Sequence, residues 1–103
     1  MRMVLREVIP LAQSETGELY VEGTRVFLED LLEAYERGLS PEEMVLAYPS
    51  LRLEDVYLVL AYALRHPEEV EAYRRRQEAR AREAEAQARR FLPRELLSRL
   101  GKV

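Results

Sequence analysis

The sequence predicts a mainly α-helical fold: a helix-turn-helix-like bundle with a small N-terminal antiparallel β-sheet and a long, projecting C-terminal helix. Three observations carry this. Apolar residues recur at helical spacing from Leu28 onward, proline-marked helix starts stand at Ser40-Pro41 and His66-Pro67, and β-branched alternation is confined to residues 4–27. A chain of 103 residues is one domain, or one domain with an appendage. The second proline-marked start divides it into 1–66, a β-hairpin with three helices, and 67–103, a basic helix and arm.

The elements follow in order. Val4, Leu5, Val8 and Ile9 place apolar side chains on both faces of a strand that ends at Pro10. The segment 13–18 is a polar turn, Leu19-Tyr20-Val21 a second strand, and Glu22-Gly23 a bend into Thr24–Phe27, so a sheet of two or three strands is expected. Leu28, Leu31, Leu32 and Tyr35 then mark a first helix, with Gly38 to end it. Ser40-Pro41-Glu42-Glu43 is a capping box, with serine at the N-cap, proline at N1 and glutamate at N3. Pro49 keeps this second helix short. The third helix, from about Leu53 to Arg65, is apolar almost all round and is expected to be the central, buried one. Its apolar surplus in so small a domain predicts a homodimer with the third or fourth helix in the seam. The fourth helix runs from Pro67 to about Arg90. Beyond Tyr73 its apolar stripe is reduced to Ala81, Ala84 and Ala88, ending at Phe91, and Pro93 breaks it.

Composition narrows the function. Sixteen basic and nineteen acidic residues leave a net charge of −3, but residues 1–73 hold 6 basic and 15 acidic groups and residues 74–103 hold 10 and 4. An acidic body carries a basic tail. There is no cysteine and a single histidine, which removes thiol chemistry, disulfides and most metal or acid–base sets. No catalytic residue, metal, cofactor or small-molecule substrate is expected, and the protein is read as a non-enzyme. No apolar run approaches a membrane span, and the opening segment lacks the apolar stretch of a secretory signal, so a cytoplasmic location away from the membrane is expected. Fifteen of the sixteen basic residues are arginine, first a mark of genomic bias or a hot habitat.

The acidic pairs Glu42/Glu43, Glu54/Asp55 and Glu68/Glu69 all fall in first turns of helices, where the macrodipole favours carboxylates, and are read as structural. His66 is read as a helix-cap residue. Two helices joined by the turn Pro49-Ser50-Leu51 suggest DNA reading by the third helix, with Arg25, Arg52 and Tyr57 as contacts. Glu54 and Asp55 at the head of that helix would repel phosphates, so DNA binding by the acidic body is expected to be weak. The tail is more suggestive. Arg90, Arg94 and Arg99 alternate with Phe91, Leu92, Leu96 and Leu97, a mixture of charge and apolar anchors suited to an acidic, grooved partner.

The run Gly23-Thr24-Arg25-Val26, then Leu31-Leu32, Gly38, Ser40-Pro41-Glu42-Glu43, Tyr48-Pro49-Ser50-Leu51 and Glu54-Asp55-Val56-Tyr57 resembles the bacterial family called domain of unknown function 433. The resemblance is strongest over residues 17–73. More loosely it extends to the end, because a branch of the family carries an Arg-Phe-x-Pro segment like Arg90-Phe91-Leu92-Pro93. Phe27 stands where many members have proline, and Arg52 where a small hydroxyl cap is usual. The resemblance implies a β-hairpin followed by a helix-turn-helix-like bundle, dimerisation, and a role as an antitoxin of the VapB kind encoded beside a PIN-like nuclease. The expectation is an antitoxin-like protein whose arm (Arg90, Phe91, Leu92, Arg94, Leu96, Leu97, Arg99) occludes a PIN-like ribonuclease. The alternative is a dimeric helix-turn-helix transcriptional (auto)repressor.

Overall fold

The structure is a computed structural model that describes residues 2, 3 and 5–96. It contains β1 (Leu11–Gln13), β2 (Leu19–Val21), α1 (Leu28–Glu36), α2 (Pro41–Ala47), α3 (Leu53–Arg65) and α4 (Pro67–Phe91). The mainly helical class, the small antiparallel sheet and the long C-terminal helix are as the sequence predicts. Two compact units, Met1–Val70 and Glu71–Val103, make up the chain, and the division falls inside α4.

In the first unit, β1 and β2 pair antiparallel with Leu11 opposite Val21 and Gln13 opposite Leu19. The loop between them sets this register. Ser14 N–H donates to the Glu18 carbonyl at 2.9 Å, Gly17 takes a φ of 96°, and the Ser14 and Thr16 hydroxyls both donate to the Glu18 carboxylate. Here the structure corrects the sequence reading. The first strand lies after Pro10, at 11–13, and the described residues of the alternating stretch 4–9 are not strand. Alternation alone does not make a strand. The hairpin loop fixes which residues meet β2, and it leaves Leu5 and Val8 more than four-fifths exposed with no sheet to pack on. The third candidate strand is reduced to a bridge from Tyr20 to Phe27, with Val21 N–H donating to the Val26 carbonyl. Gly23, at φ 78°, makes the tight turn that allows it.

The helix ends follow local chemistry. Asp30 accepts from the Phe27 N–H at 3.0 Å at the head of α1. Gly38, at φ 92°, ends that helix, and Leu39 N–H returns to the Ala34 carbonyl. At the head of α2, Glu43 N–H donates to Ser40 Oγ at 3.1 Å while Ser40 N–H donates to Glu43 Oε1 at 2.8 Å. That closes the capping box read from the sequence. Arg52 precedes α3 without a side-chain cap.

The core joins α1, α2, α3 and β2. Val21, Leu28, Leu31, Met44, Val56 and Val59 are its largest fully buried side chains. The expectation that α3 is buried all round needs correcting. It buries Val56, Val59, Leu60 and Ala63, but Leu53, Tyr57 and Leu64 on the adjoining face are 37%, 49% and 62% exposed. Only α1 and α2 are packed against it to any extent within this unit, and two short helices cover one side of a third. In the second unit, Tyr73 is the buried side chain of α4, and residues 78–91 of the helix are exposed throughout.

Candidate functional site

The arm begins where α4 ends. Pro93 has no N–H to continue the helix, and a new helical turn is entered at 94–96. Phe91 is 84% exposed, Leu96 is 41% exposed, and Leu92 is half-buried. Further back, α4 holds its charges in pairs one turn apart: Arg75 with Glu71 at 3.9 Å and Arg89 with Glu85 at 3.2 Å. Arg90 and Arg94 form no such pair among the described residues. Two exposed guanidinium groups thus alternate with two exposed apolar side chains within seven residues of chain, which is the composition of a charged anchor segment. Leu97 and Arg99, the remaining candidates, lie outside the described residues.

The DNA candidates have different surroundings. Arg52 stands at the head of α3 on the rim of an open cleft of about 500 Å³, lined also by Pro10, Glu22, Gly23, Thr24, Ser50 and Asp55. Two carboxylates oppose that single guanidinium, and a third, Glu54, lies 3.9 Å from it. The Thr24 hydroxyl is engaged locally, donating to the Val21 carbonyl and accepting from Val26 N–H. Arg25 is exposed but outside the cleft. Tyr57 is turned to another use: its hydroxyl donates to Glu42 Oε2 at 2.9 Å, tying α3 to the first turn of α2. The Glu42 carboxyl lies below its ordinary value of 4.5, through its own backbone hydrogen bond first and Tyr57 second. The Tyr57 phenol is correspondingly raised above 10.0, chiefly by the hydrogen bond to Glu42.

Glu42 is the residue that sequence reasoning missed here, since its first-turn position explains it fully without a partner fifteen residues away. The acidic pairs are where the helix-start reading puts them, in the first turns of α2, α3 and α4. His66 is the C-cap of α3, its Nδ1 2.9 Å from Glu69 and its ring 4.4 Å from that of Tyr62. No cluster of three or more metal-binding side chains occurs among the described residues. Among them also, no helix is long and apolar enough to cross a membrane.

Residues 15–63 match the sequence model of a family described as Protein of unknown function (DUF433). The resemblance read from the motifs holds over this stretch. It takes in the hairpin loop, β2, α1, α2 and most of α3, all inside the first unit. The Arg90-Phe91-Leu92-Pro93 segment lies beyond it. No curated protein and no solved structure matches the chain.

Proposed function

We propose that this protein acts as the antitoxin-like partner of a PIN-like ribonuclease, and that the segment following α4 is the part that binds. The observation that carries this reading is the pairing of exposed Phe91 and Leu96 with Arg90 and Arg94 at the end of a helix whose inner arginines Arg75 and Arg89 are already matched to glutamates. Nucleases of that kind hold a divalent cation with clustered carboxylates. A guanidinium from the arm pairs with those carboxylates in place of the metal, and the apolar side chains seal the cleft against RNA. Charge favours the arm over the body, because residues 1–73 are strongly acidic and residues 74–103 strongly basic.

A dimeric DNA-binding repressor, the competing reading, has less to stand on. Carboxylates surround its contact residue at the head of α3, and Tyr57 is already bonded to Glu42.

The test is co-purification with a PIN-like nuclease co-expressed from an adjoining gene, with inhibition measured on the same variants. Arg94→Glu is expected to weaken binding by about 2–5 kcal/mol, as for a desolvated charge pair. Arg80→Glu, on the solvated face of α4, is expected to cost under about 1 kcal/mol. Leu96→Asp is expected to be at least as damaging as Arg94→Glu. Binding that survives removal of residues 90–103 overturns the proposal.

A further inference from the structure

We infer that the exposed apolar stripe of α3 is a self-association face. On it a second copy of this chain packs with the two α3 helices antiparallel about a two-fold axis, so that Glu54 of each copy meets Arg65 of the other.

The stripe itself is built from Leu53, Tyr57, Ala61 and Leu64, separated by four, four and three residues. At 3.6 residues per turn these side chains form one row along the helix, beside the row Val56, Val59, Leu60 and Ala63 that faces the core. All four are exposed. The patch continues onto α2. Glu42 receives the Tyr57 hydroxyl, and Leu46, one helical turn further along the same side of α2, is 81% exposed. Single exposed leucines are ordinary on protein surfaces, but a continuous row at helical spacing is the usual form of an uncovered helix–helix seam. The hydrogen bond from Tyr57 to Glu42 holds the central aromatic ring in one orientation, which lowers the ordering cost of docking against it.

Charge selects the occupant. The first turn of α3 is acidic, with Glu54 and Asp55, and its last turn carries Arg65. Glu54 and Arg65 are eleven residues apart, close to three full turns, so both flank the stripe on the same side. Along one helix they stand about 16 Å apart and cannot pair. A two-fold axis near the middle of α3 brings equivalent flanks together with the direction reversed. Glu54 then faces Arg65 of the second copy, twice over, and the two helix dipoles oppose favourably. A parallel arrangement keeps both Glu54 residues at one end and both Arg65 residues at the other, and loses both pairs. Nucleic acid is a poor occupant, because Glu54 and Glu42 border the stripe. The same patch therefore supplies both its apolar and its charged complement, as an isologous interface requires.

Sedimentation equilibrium on the full chain at micromolar concentration tests this. Leu64→Asp, at a side chain already mostly exposed, is expected to give monomer that keeps the parent's helical circular dichroism, with a melting temperature that no longer depends on protein concentration. Glu54→Arg and Arg65→Glu are each expected to raise the dimer dissociation constant on the order of tenfold. The double swap is expected to bring it back to within about threefold of the parent, a recovery that a merely structural role does not produce. The chain has no cysteine, so Ala61→Cys under oxidation should cross-link two copies, whereas Ala86→Cys, on the exposed part of α4, should not. A monomeric parent protein, a dimer indifferent to Leu64→Asp, or single swaps whose combination fails to recover would each overturn the inference.

Discussion

The helices of residues 1–70 and the second half of α4 reach helical structure by different physical routes. In the first unit, α1, α2 and α3 each bury part of one face against the others, and Leu31, Met44, Val56 and Val59 reach zero exposure. Residues 78–91 of α4 bury nothing and are held by alanine-rich propensity and pairs such as Glu85 with Arg89. Packing fixes a helix through many neighbours at once, so a single change there is felt by the whole unit. Propensity and surface pairing fix it residue by residue, which leaves the side chains of α4 free to be chosen for a partner. Substitutions separate the two regimes cleanly.

The largest contrast is between Leu31→Ala and Phe91→Ala. Leu31 is fully buried, and its truncation is expected to cost about 2–5 kcal/mol, a large part of the stability of a unit this size. Phe91 is 84% exposed, and its truncation is expected to stay within about 0.5 kcal/mol. Urea unfolding followed by circular dichroism reads both, and comparable losses would erase the distinction between the two regions.

Next in size is Ser40→Ala. It removes the Oγ that accepts from Glu43 N–H at the head of α2, and is expected to cost about 0.5–2 kcal/mol by the same measurement. Because α2 is packed on α1 and α3, the loss should appear as an earlier cooperative transition of the unit rather than as local fraying. A lost helical signal with an unchanged midpoint would mean that α2 is held more like the outer part of α4.

The smallest effect is electrostatic, at the surface joint between α2 and α3. Tyr57 is raised by its hydrogen bond to Glu42, so the stabilisation it gives is present below pH 10 and is lost as the pH rises through its folded value. Glu42 is lowered below 4.5, so its contribution is present above that value and fades as the pH falls through the depressed one. Tyrosinate absorbance read on Glu42→Gln should show the Tyr57 phenol returned toward 10.0. A Tyr57 titration indifferent to Glu42→Gln would show that the hydrogen bond does not hold in solution.

Much of the candidate arm was legible in the sequence, because exposure at the end of a charged helix follows from composition: Arg90, Phe91, Arg94 and Leu96 have no apolar stripe behind them to fold onto. The DNA candidates were less so. Arg25, Arg52 and Tyr57 satisfy a spacing, yet spacing does not say that Glu22 and Asp55 line the cleft beside Arg52 or that Tyr57 reaches Glu42.

Local chemistry by itself determined the helix ends of this protein. Ser40 with Glu43, Gly38 after α1, and the prolines at 41, 49, 67 and 93 act on backbone groups within four residues, and a signal of that range is complete in the sequence. Tertiary structure alone decided the rest. The stretch 4–9 has the alternation of a strand but no partner, because the loop at 14–18 turns β2 onto 11–13 instead. α3 is apolar nearly all round, yet which face is covered depends on where α1 and α2 lie against it, a contact between residues far apart in the chain. Hydrophobic burial is non-directional and needs neighbours. A sequence states which side chains seek cover, and only the packed fold shows which of them, Val56 and Val59 but not Tyr57 and Leu64, find it within the first unit.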